Sequence, residues 1–345
     1  TALLCEDPEL ARDFGATHLA MSGIRGEDRW YDSFLPDNAD DPYPNWSQGS
    51  IGLLRAFPPP ELAPWMPRDV TAAARAAVAA QAETARRLGL KAMLSGLEPL
   101  WLPEAAYRAH PRWRGSQCEL GRIAGKPYFV PDIDEPEVLD LYRRAMRDLC
   151  RAHPEFEIFS FFTNDSGTGI PWATYGYPGP NGPTHSRHRD PGARVVGWLE
   201  AMRAGAEEAG VRIRINVHSF SFPPGETAAV RARLGSSFYL NHVNGDGEPL
   251  VGGSATFRDI ADPVVGLSDP EEFLRGLERV FRPADGSVRS ISGRGGDPAL
   301  ARRLLEAFID TPGAGSVHRA QAFLRAAERT VGPEHAETLV TVWGM

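Results

Sequence analysis

Residues 155–177 read EFEIFSFFTNDSGTGIPWATYGY, and the fold turns on how this stretch is taken. Phe156, Ile158, Phe159, Phe161 and Phe162 make an apolar run that stops at Thr163-Asn164-Asp165-Ser166-Gly167. A short run that is apolar on both faces reads as a buried, central strand of a parallel sheet. The small polar packet after it has two readings. Asn and Asp behind a strand serve Asx-turns and helix caps. The same residues also suit an active site at the mouth of a barrel, where strands deliver side chains to one rim. The loop that follows, SGTGIPWATYGYPGPNGP, carries Trp172, Tyr175 and Tyr177 among glycines and prolines. Rings presented there suit the apolar faces of sugars; otherwise they pack the loop onto the strands.

On either side of this stretch, β-type runs alternate with helical patterns, the sign of βα units. ATHLAMSG (16–23) is the first run, followed by a long polar and aromatic insertion. PRDVTAAARAAVAAQAETARRLGL (67–90) reads as a helix capped by Asp69 and ended by Gly89. KAMLSGL (91–97) is a strand ending near Glu98. DIDEPEVLDLYRRAMRDLCRAHP (132–154) is a helix with Pro136 in its first turn and an apolar face of Leu139, Tyr142, Met146, Leu149 and Cys150. Strand–helix pairs continue through RIRINVHSF, SSFYLNHV, PVVGLS and SVRSISG with their partner helices, and residues 316–345 look helical.

The result is about seven strands, and a closed (β/α)8 barrel needs eight. The expectation is an α/β, TIM-type barrel over residues 1–315, its first strand lacking or degenerate, so that the eighth strand lies before Thr1 or within the chain unrecognised, with a helical extension over 316–345. The rival is an open doubly wound sheet, which normally shows a Gly-rich phosphate loop behind an early strand. GRGGDP (293–298) comes late and lacks that context.

The chain has 345 residues, 42% hydrophobic and 24% charged, ample for a full core. A net charge of −8 argues against a nucleic-acid or anionic-membrane surface. Three scattered cysteines, Cys5, Cys118 and Cys150, imply neither a disulfide framework nor a zinc knuckle. No apolar run approaches a membrane span. No signal peptide is visible, and secretion stays open because the chain starts without Met. The sequence leaves the oligomeric state open.

Barrel sites are built at the C-terminal ends of strands. Those ends offer Arg25, Asp28, Glu98, Asn164, Asp165, Asn216, His218, Asn241, His242, Asp269 and Arg294. Glu98 sits close to Trp101, and a carboxylate beside an indole suits a general acid of raised pKa. His218 and His242 end successive strands and suit hydroxyl binding, metal binding or proton transfer; each also suits a satisfied structural role. His185 and His188 in THSRHRD lie on a loop that touches substrate or forms a solvated basic patch. No Gly-x-Ser-x-Gly elbow, His-Glu-x-x-His or phosphate-loop motif is present.

The order ARRLGLKAML…HP and then DEPEVLDLYRRAMRDLCRAHPEFEIFSFFTND, within residues 16–220, resembles the barrel of family 20 glycoside hydrolases, the hexosaminidases, and related α-glucuronidase-type barrels. In that family a strand ends in an Asp-Glu pair: the Glu is the general acid, and the Asp orients the substrate's acetamido group. Here the pair reads Asn164-Asp165. The resemblance implies Asp165 as proton donor and Asn164 as orienting group. It also implies a glycosidase of the wider superfamily, acting on a uronic acid or a plant or microbial polysaccharide. Hydrolysis also needs a base, a nucleophile or a substrate group opposite the acid, and Glu98 is the partner expected for Asp165. Arg25, Trp172, Tyr175, Asn216, His218, Asn241 and His242 are the expected carbohydrate-binding residues, with no cofactor and no metal. Two rival functions remain: a metal-dependent barrel hydrolase or isomerase using His218 and His242 with Glu98, Asp165 and Asp269, and a non-catalytic carbohydrate-binding barrel.

Overall fold

The computed structural model describes residues 3–5, 8–13, 15–22, 52–118, 128–163, 168–172, 182–219, 224–248, 250–256, 270–281, 288–292 and 298–343. In chain order the elements begin with β1 (Leu3–Cys5), α1 (Pro8–Asp13) and β2 (His18–Ser22). Next come α2 (Leu53–Ala56), α3 (Arg68–Arg87), β3 (Lys91–Leu97), α4 (Glu104–Ala109), β4 (Arg114–Cys118) and β5 (Tyr128–Pro131). Then follow α5 (Pro136–Ala152), β6 (Phe156–Thr163), α6 (Pro191–Glu208), β7 (Arg214–Ser219), α7 (Pro224–Leu234), β8 (Phe238–Leu240) and β9 (Val243–Asn244). The chain closes with β10 (Val251–Thr256), α8 (Pro270–Phe281), β11 (Val288–Ser292), α9 (Pro298–Asp310), α10 (Gly315–Val331) and α11 (Ala336–Trp343).

Contacts divide the chain into two compact units, one of residues 1–20 with 249–345 and one of residues 21–248. In the first, parallel ladders order the strands β10, β11, β1, β2. Here lies a strand that the βα reading did not include, Leu3–Cys5. The strand read at PVVGLS falls outside the described residues. Upstream of it, Val251–Thr256 forms the ladder with Val288–Ser292.

In the second unit β3, β6, β7 and β8 run parallel, and β9 turns back antiparallel on β8. The long segment before α5 contributes a separate antiparallel pair, β4 with β5. The protein is therefore a mixed α/β fold with mainly parallel strands; among the described residues no ladder closes a barrel.

The side-chain alternation of the strands sorts the second unit into two faces. Ala92 and Leu94, Phe159 and Phe161, Ile215 and Val217, and Phe238 and Leu240 join one core with the apolar stripes of α3, α5 and α6. In α5 that stripe is Val138, Leu141, Tyr142, Ala145, Met146, Leu149 and Cys150, spaced by three and four. Leu139 is only partly buried beside it. Burial pushes the Cys150 thiol up to about 12, so it behaves as a small apolar group. Helices α5 and α6 meet where Gly205 removes a side chain: a Cβ there would lie 1.9 Å from the Arg143 carbonyl oxygen.

Two local signals resolve differently at the two ends of α3. Pro67, not Asp69, occupies the N-cap; Asp69 falls inside the first turn and makes no capping bond. There its charge still favours the helix N-terminus. At the other end Gly89 takes φ +67, the left-handed conformation that ends a helix without a Cβ penalty.

Candidate functional site

The opposite face of the same strands mixes apolar residues (Met93, Ile158, Leu97, Phe162) with a polar layer. Register aligns Ser95, Ser160, Asn216 and Tyr239 across four neighbouring strands, and one layer nearer the C-terminal ends it aligns Leu97, Phe162 and His218. Asn216, fully buried, donates from Nδ2 to Ser160 Oγ at 2.9 Å. Its Oδ1 accepts from the His242 backbone N–H at 2.8 Å. That second bond holds the turn between β8 and β9, where Asn241 and His242 adopt φ of +50 and +66. Left-handed backbone at two successive non-glycine residues costs roughly 1–3 kcal/mol each. The Asn241 N–H to Val217 carbonyl bond, at 2.8 Å, helps to offset it.

The turn places His242 against His218. Their rings meet edge to face with centroids 4.1 Å apart, and His218 stacks on Phe162 at 4.5 Å. Burial, with the neighbouring His242, pushes the His218 imidazole down to about 4. Burial also lowers His242. Both rings are therefore neutral at pH 7, able to donate from one nitrogen and accept at the other. His242 Nδ1 is buried without a hydrogen-bond partner among the described residues, and so is Thr163 Oγ1 on the last residue of β6. Asn164 and Asp165 follow Thr163 directly and lie outside the described residues, as do Arg25, Asp28, Tyr175, Tyr177, Asp269 and Arg294.

Glu98 is not on this face. The alternation that points Leu97 toward Phe162 turns Glu98 to the helix side, where it is 1% exposed. Tyr142 Oη donates to its Oε2 at 2.8 Å, the Leu100 N–H donates to Oε2 at 3.2 Å, and the Leu53 N–H donates to Oε1. Burial raises the carboxyl to about 7 against the pull of these donors. The raised pKa expected of Glu98 is thus present, and its largest cause is desolvation. The group serves Tyr142 and two backbone amides, and the pairing expected between Glu98 and the residues of the β6 rim is not supported by its orientation.

Trp172 sits at φ +66 and donates from Nε1 to the Pro183 carbonyl at 3.1 Å and Ser186 Oγ at 3.2 Å. Arg187 lies over its ring, 5.3 Å from the centroid. Its indole edge is thereby fixed to the segment that carries His185. His185 Nε2 in turn lies 3.1 Å from Asp132 Oδ2.

That contact opens a cluster the sequence reading missed. Asp132 is fully buried, and burial together with the Asp134 charge raises its carboxyl to about 6. Asp134 accepts Arg194 Nε at 2.8 and 3.0 Å and pairs with Arg189 at 3.2 Å. The signal was present as an Asp-x-Asp ahead of Pro136, at what the sequence shows only as the start of a helix. Neither partner is near in sequence: Arg194 stands on the first turn of α6, and His185 stands beyond the aromatic loop. Among the described residues no group of three His, Cys, Asp or Glu is placed to hold a metal ion. Nor is any described helix long and apolar enough to cross a membrane.

No protein-family model matches this chain, and no curated protein matches it. Among solved structures, an α-galactosidase from Lactobacillus brevis is similar at 10% identity and a TM-score of 0.43, over 96% of this chain. This chain spans 41% of that enzyme's length. The tandem GH20 catalytic modules of the pneumococcal exo-β-D-N-acetylglucosaminidase are similar at 10% identity and a TM-score of 0.41, over 99% of this chain and 95% of the other. A GH138 enzyme targeting pectin rhamnogalacturonan II follows at 9% identity and a TM-score of 0.37, over 95% of this chain and 34% of its own. The structural neighbours are glycoside hydrolases; likeness this distant assigns this chain no activity.

Proposed function

We propose that this chain is a glycoside hydrolase-like enzyme, its parallel strands the staves of a (β/α)8-type barrel, that cleaves glycosidic bonds by carboxylate general-acid catalysis. The observation that carries the reading is the cluster of Phe162, His218 and His242 at the ends of neighbouring parallel strands, on the strand that runs on through Thr163 into Asn164-Asp165. Asp165 is the proton donor and Asn164 the orienting amide. His218, Asn241 and His242 meet sugar hydroxyls as neutral hydrogen-bonding groups, and Asn216 positions the turn that presents them. Trp172 and Tyr175 line the sugar. Arg25, outside the described residues, is a further sugar-binding residue of this reading. Glu98 acts here as a positioning residue that fixes the end of β3 through Tyr142. The base or nucleophile then comes from the substrate or from another carboxylate.

A binding-only barrel is the second reading, favoured by one observation: the second expected carboxylate, Glu98, is turned into the interior. A panel of uronic-acid, hexosaminide and plant-polysaccharide substrates separates the two. Release of reducing sugar from at least one substrate supports the enzyme. Saturable binding with no release from any of them supports the lectin-like reading and overturns ours.

A further inference from the structure

Hydrolysis needs a second group, opposite the acid, that takes a proton from water or attacks in its place. Glu98 is turned into the interior and does not supply it. Asp132 and His185 stand at the right end of the strands. Asp132 comes just before α5, which connects the parallel neighbours β3 and β6. His185 comes shortly before α6, which connects β6 and β7. Crossover helices start at the C-terminal ends of the strands they follow, where α/β sites are built.

Asp132 is fully buried. Its Oδ1 accepts from the Asp134 N–H at 3.0 Å, while its Oδ2 completes no hydrogen bond among the described residues. Facing that Oδ2, 3.1 Å away, is His185 Nε2. A buried carboxylate oxygen without a donor is costly, and a small turn of the imidazole aligns Nε2–H with it. Contacts between reacting groups are often loose in this way until substrate is bound. Asp134 does not compete for the ring, because Arg194 and Arg189 hold it at 2.8 and 3.2 Å. Burial raises the Asp132 carboxyl to about 6, so at pH 7 most of it is ionised and ready to accept.

His185 is also fixed from its other side. It lies in the tight turn Thr184–Ser186. Ser186 Oγ donates to the Pro183 carbonyl at 3.0 Å, and Trp172 Nε1 donates to both groups. Four residues before Trp172, Thr168 bridges Leu100, and the Gly169 N–H donates to the Pro99 carbonyl at 3.4 Å. The segments after β3 and β6 are thereby tied together, and the sugar-lining Trp172 is tied to the turn that carries His185. The His185 side chain itself is 52% exposed. A carboxylate behind Nε2–H fixes the tautomer, leaves the lone pair on Nδ1 and steadies the imidazolium that forms when Nδ1 takes a proton.

We propose that His185, oriented by Asp132, is the general base of this site. The proposal rests on the glycosidase reading and makes Asp132 its second carboxylate, a positioning residue that acts through the imidazole. His185 Nδ1 takes a proton from water as the water oxygen bonds to the anomeric carbon. The glycosidic C–O bond breaks, and the leaving oxygen takes a proton from the acid of that reading. The imidazolium then releases its proton to solvent, and the acid regains one from solvent, so that one water is consumed. Attack opposite the leaving group inverts the anomeric centre.

The test uses the full chain and a substrate that the panel above shows to be hydrolysed. His185→Ala, an exposed change, lowers kcat at least a hundredfold with KM held within about threefold. Proton NMR of the first product formed shows the inverted anomer. Nitrogen-15 spectra of the ring show wild-type His185 as the Nε2–H tautomer. Asp132→Asn, where it folds, mixes the two tautomers and lowers kcat at least tenfold; a purely structural Asp132 leaves the tautomer unmoved. Full turnover by His185→Ala, a retained anomer or a wild-type Nδ1–H tautomer overturns the proposal and leaves the glycosidase reading standing. Release from none of the panel substrates overturns that reading and this proposal with it.

Discussion

The imidazoles of His218 and His242, from β7 and from the turn after β8, meet edge to face with centroids 4.1 Å apart. A proton on either ring is disfavoured by burial, and on His218 by the other ring as well. Removing His242 as Ala therefore raises the His218 pKa from about 4 toward 6.5. Histidine ring NMR titration reads this directly; a His218 pKa unmoved by His242→Ala contradicts the pairing. The stability consequence has a definite sign. The folded state refuses protons that the unfolded chain takes up below about 6.5, so stability falls as pH drops from there to about 4.

Glu98 behaves in the opposite sense. Its folded carboxyl keeps a proton up to about 7, whereas the unfolded one releases it near 4.5. Between those values the folded state binds more protons, so stability falls as pH rises. Glu98→Gln removes this slope; its single oxygen can keep the Tyr142 and Leu100 donors, but its NH2 then faces the Leu53 N–H and costs about 1–3 kcal/mol. Glu98→Ala strands three buried donors and costs about 3 kcal/mol. Denaturant melts at pH 5 and pH 7.5 check both statements; a slope that survives Glu98→Gln refutes the assignment.

Arg194 and Asp134 form a pair with side chains only 2% and 1% exposed. Asp134→Ala leaves the guanidinium buried and loses about 3–5 kcal/mol. A double change, Asp134→Leu with Arg194→Met, recovers most of that loss because it removes both desolvated charges. If the double variant is no more stable than the single one, the cost lies in packing and not in charge.

Gly205→Ala sets two effects against each other. Alanine favours the helix by roughly 1 kcal/mol over glycine. The new methyl, however, falls 1.9 Å from the Arg143 carbonyl, and only a shift of α5 against α6 relieves it. Overpacking of this kind costs about 1–3 kcal/mol, so the variant melts at lower denaturant. A stabilised Gly205→Ala contradicts the close helix approach.

Much of the architecture was legible because periodicity is local. The runs 91–97, 155–163 and 212–220 lie on β3, β6 and β7, and Tyr142, Met146, Leu149 and Cys150 of the α5 stripe stand out in the sequence, whereas Val138, Leu141 and Ala145 do not and Leu139 lies beside it. What failed to appear in sequence depends on pairing at a distance. Leu3–Cys5 is too short to show alternation and is defined by its ladders to β11 and β2. SSFYLNHV looked like one strand; the left-handed Asn241 and His242 split it into β8 and a returning β9. Glu98 reads as a rim carboxylate because it ends the 91–97 strand close to Trp101. One step of strand parity, invisible without knowing where β3 ends, puts it on the helix side. Asp132 needs His185, 53 positions away, before it stands apart from the start of a helix.

Asp165 is the residue on which the enzymatic reading rests. Once a hydrolysed substrate is identified, turnover and binding by Asp165→Asn on that substrate test it most directly. The account predicts that kcat falls by at least a hundredfold, in line with the usual worth of a general acid, while the substrate still binds with near-native affinity. Full turnover by Asp165→Asn contradicts it.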